Sequence, residues 1–275
     1  MKYIKFINLN QNAGLLHHYS NLKRMIKKSY ILDKIPIIPK LYMSCKKCGS
    51  YHCGTHNSVC NKNERFYSNY SDWFDYSKLK VNGKSFKVIL DSSNVNEEDI
   101  FVFDLYEEIQ NVPTYGCLFT WPEFSTDEMN KLSFELPFKK EIIKMSQKII
   151  LKMDKYICVH VRRGDVLWQK DGLEEKTQSK NILKVLNKLI DNSYNIYVMT
   201  NETDLTLFDD IKNKYNTYFY TDFKELKDII ELDNYKLFSI ELLIMKNANK
   251  KISTFDRHYP FGIGYNDRWL YDDCK

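Results

Sequence analysis

The chain has 275 residues, 43% of them hydrophobic and 28% charged, with 9 Gly, 6 Pro and a formal net charge of +5. That much apolar material with so little Gly and Pro excludes a disordered or collagen-like chain and leaves room for one large domain or two modest ones. The basic excess is small and spread along the sequence, too mild to imply nucleic acid by itself and equally suited to anionic small ligands.

At the start, Tyr3, Ile4, Phe6 and Ile7 predict a strand, and Leu15, Tyr19, Leu22, Ile26 and Tyr30 recur at helical spacing. Ile35 to Ile38, punctuated by Pro36 and Pro39, predicts a short buried strand, so the first forty residues read as a β-α-β unit whose helix opens at Gly14. The N-terminus has no apolar stretch long enough for a secretory signal, and nothing approaches the roughly 20 apolar residues of a membrane span, so the expectation is a cytoplasmic protein. Four of the seven cysteines then crowd together, Cys45, Cys48, Cys53 and Cys60, with His52 and His56 between them. Zinc takes four such ligands in a tetrahedron, which makes this stretch a candidate structural zinc site; two local disulfides or four reduced thiols are the alternatives. "FKVIL" and "IFVFDLY" read as strands, and "VPTYGCLFTWPEFS" as loop.

From residue 140 the pattern sharpens. Ile142, Ile143, Ser146, Ile149, Ile150 and Met153 share a helix face, and Tyr156 to Val161 form an apolar strand. A helix through Ile182, Leu183, Leu186, Leu189 and Ile190 follows, then the strand "NIYVMT", a shorter helix near Leu205 to Tyr215 and the strand "TYFY". The mostly apolar helix "NYKLFSIELLIMKNA" and the strand "KKISTF" close the series. Strict alternation of this kind predicts a parallel sheet with helices on both faces.

Ligands on open α/β sheets bind beyond the carboxyl ends of the strands. Polar residues gather at three such ends: His160, Arg162, Arg163, Gly164 and Asp165 after the first strand of this half, Thr200, Asn201 and Glu202 after the second, and Ser253, Thr254 and Phe255 after the last. Two guanidinium forks suit a diphosphate, with Gly164 keeping the turn open, Asp165 fixing one fork, and Ser253 and Thr254 as further donors. His160 alternates onto the same side as Arg162, and Phe255 offers a face for stacking. The competing reading is that Arg163 and Asp165 pair with each other on the surface. No GxxxxGK[ST] phosphate loop is present, which disfavours an ordinary nucleotide hydrolase or kinase. Arginines at the phosphates stabilise a departing diphosphate by charge, without calling for a divalent ion.

"VHVRRGD" together with the later "STF" resembles the fucosyltransferase superfamily, the α1,2- and α1,6-fucosyltransferases and protein O-fucosyltransferases that use GDP-fucose. "GLLHHYSNLKRMIKKSYILDKIPIIP", "LPFKKEIIKMSQKII" and "IELLIMKNANKKISTF" resemble the family's other segments in the same order. The resemblance implies a GT-B fold of two Rossmann-like domains with parallel sheets. Residues 1–150 would form the acceptor-side domain with a Cys-rich insertion at 45–60, and residues 151–275 the nucleotide-sugar domain. It implies metal-independent, inverting transfer of fucose from GDP-fucose to a hydroxyl of a glycan or protein, with no cofactor for catalysis and no nucleic acid as partner. Arg162, His160 and Asp165 would be catalytic; Arg162, Arg163, His160, Gly14, His17, Thr200, Asn201, Glu241, Ser253, Thr254 and Phe255 would bind the donor. Departures from the family pattern are Leu15, Leu16 and His17 after Gly14, Glu241 in place of an Asp, and Asp256 and Arg257 after the STF turn. For the base, Asp165, Glu174 and Glu175 are the candidates, the last two also reading as solvated charges. The alternatives are a transferase for another nucleotide sugar and a zinc-containing nucleic-acid-binding protein.

Overall fold

The structure, a computed structural model, describes residues 1–7, 15–43, 66–104, 127–163, 173–230, 233–254 and 267–268. The chain divides into two compact units, Met1–Lys140 and Glu141–Lys275.

The first unit opens with β1 (Tyr3–Ile7), α1 (Leu15–Ile31) and β2 (Ile35–Ile37), the predicted β-α-β unit. The antiparallel pair β3 (Leu41–Met43) and β4 (Phe66–Ser68) follows, then β5 (Lys80–Val81), β6 (Lys84–Ser85), β7 (Ile100–Asp104), α2 (Asp127–Lys131) and β8 (Phe134–Glu135). β1 lies between β2 and β7, both parallel to it. Tyr19, Leu22 and Ile26 of α1 are buried as their spacing predicts, and the Tyr19 ring lies 5.2 Å from that of Phe74. The expected strand "FKVIL" is reduced to one bridge, in which Ile38 N donates to Ile89 O and Ile89 N to Pro36 O. The next rung toward residue 87 needs the N–H that Pro36 lacks.

The second unit is built from α3 (Lys140–Met153), which starts at the junction, β9 (Tyr156–Val161), α4 (Leu173–Lys176), α5 (Ser179–Leu189) and β10 (Asn195–Thr200). After these come α6 (Asp209–Lys212), β11 (Thr217–Tyr218), α7 (Lys224–Ile230), α8 (Asn234–Asn247), β12 (Lys250–Ser253) and β13 (Asp267–Arg268). The turn from α3 into β9 passes through Asp154 at φ 53°, a left-handed conformation that Asp tolerates better than most residues. The strand order is β11-β10-β9-β12-β13, parallel throughout, with β9 central and all six of its residues buried. β11 is shorter than "TYFY" suggests, because the Asp222 carboxylate accepts from Phe219 N and ends the ladder there.

Alternation along β9 sorts two faces. Ile157, Val159 and Val161 pack with Ile196, Val198 and Ile252 against Ile182 and Leu186 of α5 and against Phe208 and Ile211. On the other face Tyr156 and Tyr197 meet α8, where the Tyr156 hydroxyl donates to Ile244 O at 2.6 Å. That helix is buried nearly all round, in keeping with its apolar sequence, and Asp233 starts it by accepting from Lys236 N. Among the described residues no helix is long and apolar enough to cross a membrane.

Candidate functional site

The central position of β9 places its carboxyl end between those of β10 and β12, with Met199 and Ser253 both in register with His160. Side chains then lace the strand ends together. Thr254 N and Oγ1 both donate to His160 O, at 2.9 and 3.1 Å, and Thr254 Oγ1 in turn accepts from Arg162 N at 3.2 Å. On the β10 side, Arg163 N donates to Asn201 Oδ1 at 2.8 Å and Asn201 Nδ2 to Arg163 O at 3.5 Å. Thr200 Oγ1 accepts from Glu202 N and so turns the chain out of β10. The peptide groups on either side of the Arg162 Cα are therefore each held by a side chain from a neighbouring strand end.

The two arginines differ. Arg162 is half-buried, whereas the Arg163 side chain is only 6% exposed. Arg163 Nε donates to Glu202 Oε2 at 3.1 Å, and its Nη1 donates to Glu174 O at 3.2 Å and to Thr177 Oγ1. The other oxygen of Glu202 accepts from Thr203 N and Asp204 N, so its carboxylate is shared between the guanidinium and the turn after β10. The Arg163 guanidinium thus faces the protein. Its partner is Glu202, and period-two alternation gives the reason: residue 163 continues on the Val161 side, which α5 covers.

His160 is buried, and desolvation, then the Arg162 charge, push its imidazole down to about 3. At neutral pH the ring is therefore uncharged, with no imidazolium proton to give. Thr254 is turned into the protein in the same manner as Arg163. It is fully buried, and its one hydroxyl proton goes to His160 O. Ser253 is buried beside it, and Thr200 and Asn201 sit at the β10 end as expected. Glu241 lies elsewhere: from the middle of α8 it meets the Tyr197 hydroxyl, which donates to its Oε1 at 2.8 Å, three residues before the β10 terminus. Desolvation pushes its carboxyl up to about 8, with the Tyr197 hydrogen bond pulling the other way. Glu174 and Glu175 are exposed, in accord with solvated charges.

Gly14, Gly164, Asp165, Phe255 and the cysteines Cys45, Cys48, Cys53 and Cys60 lie outside the described residues, as does the side chain of His17 in α1. Among the described residues no group of three or more His, Cys, Asp or Glu is placed to hold a metal ion. Sequence reasoning singled out Glu202 as polar but missed its partnership with Arg163, and it missed Thr177 entirely. The strand parity of Arg163 was the available signal for both.

No protein-family profile and no curated protein sequence matches the chain. Solved structures do. The fold is that of the fucosyltransferases, a GT-B type with two Rossmann-like units and parallel sheets. NodZ α-1,6-fucosyltransferase soaked with GDP-fucose is 9% identical and matches with a TM-score of 0.52, over 92% of this chain and 88% of its own. POFUT1 in complex with GDP-fucose is 11% identical, with a TM-score of 0.51 over 92% and 90%. Selenomethionine NodZ from Bradyrhizobium is 10% identical, with a TM-score of 0.50 over 92% and 87%.

Proposed function

We propose that this protein is a glycosyltransferase that takes its sugar from a GDP-linked donor, that the sugar is fucose, and that the acceptor is a hydroxyl of a glycan or protein. One observation carries the reading: Arg162 stands at the carboxyl edge of the parallel sheet with both flanking peptide groups held by Thr254 and Asn201. A permanently charged fork fixed in this way is what a departing diphosphate calls for. That POFUT1 in complex with GDP-fucose and NodZ soaked with GDP-fucose share this fold favours GDP over other nucleotides.

In this reading the 151–275 region binds the donor and the 1–150 region the acceptor. The acceptor oxygen attacks the anomeric carbon from the side opposite the diphosphate, and the bond from that carbon to the β-phosphate oxygen breaks with its electron pair leaving on GDP. The configuration inverts. Arg162 stabilises the charge gathering on the leaving oxygens, and neutral His160 lies beneath it as a hydrogen-bonding neighbour. The acceptor proton goes to a carboxylate, for which Asp165 is the candidate, or to the leaving phosphate. No step runs through a metal or cofactor.

The test is incubation with GDP-fucose, GDP-mannose and UDP-sugars, with released nucleotide measured by mass spectrometry, since donor hydrolysis is visible without the acceptor. Release of GDP from GDP-fucose, falling about 100–1,000-fold in Arg162→Ala, is expected for loss of one transition-state donor. A fall of less than about tenfold removes Arg162 from the mechanism, and release of UDP alone overturns the donor assignment.

A further inference from the structure

Arg162 and Arg163 are adjacent in sequence and opposite in circumstance. Arg162 N is held by Thr254 from the β12 end, and Arg163 N by Asn201 from the β10 end. The residue after Asn201 is Glu202, and Glu202 is gripped by the Arg163 guanidinium. The same guanidinium reaches Glu174 O and Thr177 Oγ1 at the entry to α5. A closed circuit results: Arg163 side chain to Glu202, Glu202 through the backbone to Asn201, and Asn201 back to the peptide group that joins Arg162 to Arg163. A charge-assisted bond whose arginine is 6% exposed and whose glutamate is 21% exposed resists water better than a surface pair does.

We propose that Arg163 is a positioning residue, acting through the Glu202–Asn201 turn to fix the backbone of Arg162, and that it does not touch the diphosphate. The inference rests on the reading of Arg162 above and adds how that residue is aimed. Arg163 is required in this scheme for the turn it holds, and Glu202 is required equally. Lysine does not replace it, because a single ammonium cannot reproduce the planar fork that serves Glu202, Glu174 and Thr177 together.

Two arms test it. In the first, Arg163→Lys and Glu202→Gln are compared with wild type for turnover of the donor sugar. Misplacing a catalytic group by about 1 Å costs on the order of 100-fold, so each variant is expected to lose about 10- to 100-fold in kcat, with the donor KM within about threefold of wild type. Because the effect passes through Arg162, Arg163→Lys is expected to cost nothing further in an Arg162→Ala background. A rise in donor KM, or a loss that persists in that background, identifies Arg163 as a direct ligand and overturns the proposal. A lowered melting temperature with kcat intact overturns it also, by leaving Arg163 merely structural.

The second arm does not depend on enzyme activity, so it separates failure of this inference from failure of the fucosyltransferase reading. Phenylglyoxal labelling with peptide mass spectrometry is run with and without inorganic pyrophosphate. Arg163 is expected to label slowly in wild type and faster in Glu202→Gln, and pyrophosphate to shield Arg162 in wild type and less so in Glu202→Gln. Equal labelling of the two arginines in wild type, or undiminished shielding in the variant, overturns the proposal even if no GDP-sugar is turned over.

Discussion

Replacing Glu241 by Gln removes a dependence of stability on pH that the buried polar pair beneath the sheet gives the wild type, and so makes that dependence measurable. Glu241 accepts from the Tyr197 hydroxyl, and desolvation raises its carboxyl from 4.5 to about 8. A carboxyl raised by folding stabilises the folded protein while protonated, so its contribution is complete below pH 4.5 and is lost as the pH rises through 8. His160 has the opposite sign. Its imidazole is lowered from 6.5 to about 3, so its contribution is complete above pH 6.5 and is lost as the pH falls toward 3. Where both act, between pH 4.5 and 6.5, the slopes of about 1.4 kcal/mol per pH unit oppose each other. From pH 6.5 to 8 only Glu241 contributes, and that interval corresponds to about 2 kcal/mol. Gln keeps an acceptor for Tyr197 and cannot ionise. Urea unfolding is followed by hydrogen exchange of peptides from β9 and β10, so that the transition belongs to the second unit alone. Wild type is expected to lose about 2 kcal/mol more than Glu241→Gln between pH 6.5 and about pH 8.5. Equal losses in the two proteins would show that Glu241 is already ionised inside the fold, and the desolvation argument would fail.

Thr254→Val deletes the hydroxyl that joins His160 O to Arg162 N; a stability loss of about 1–3 kcal/mol and slower donor turnover are expected, and an unchanged urea midpoint with full turnover would refute the lacing of the strand ends. Phe208→Ala empties a fully buried position whose ring lies 5.4 Å from that of Phe219, with an expected cost of about 3–5 kcal/mol by the same unfolding assay. Glu225→Gln removes the carboxylate shared by Lys148 and Lys152, whose bonds to it hold it down to about 2. Both lysines are well exposed, so the cost at neutral pH is expected below about 1 kcal/mol and smaller still in high salt; a larger, salt-independent loss would contradict solvent screening.

The second unit was legible because its elements are long enough to show a period. Tyr156 to Val161 and Asn195 to Thr200 are six-residue strands, and α3, α5 and α8 each exceed two turns, so burial of one face imprints itself on the sequence. The helix α7 escaped notice because Lys224, Lys227 and Asp228 are exposed and leave Leu226 as the one buried residue among its described side chains. In the first unit, strands of two or three residues carry no period at all, and the Phe86–Leu90 stretch shows that an apolar run becomes a strand only where its neighbour has a free donor to offer. Glu241 precedes the "STF" turn by one helix end and one strand, and helical geometry carries its side chain under the sheet to Tyr197.

The adjacent arginines make the general point about reading a site from a strand end. In extended backbone, neighbours point to opposite faces, so two like residues in succession cannot share one task unless the chain bends between them. At β9 one face belongs to α5 and its apolar cluster, and a charge sent that way must bring its own partners or pay the desolvation cost of an uncompensated ion. Arg163 has them in Glu202, Thr177 and Glu174 O, drawn from two other segments of the fold. The presence of that acid two residues beyond β10 is therefore a condition for placing an arginine at 163.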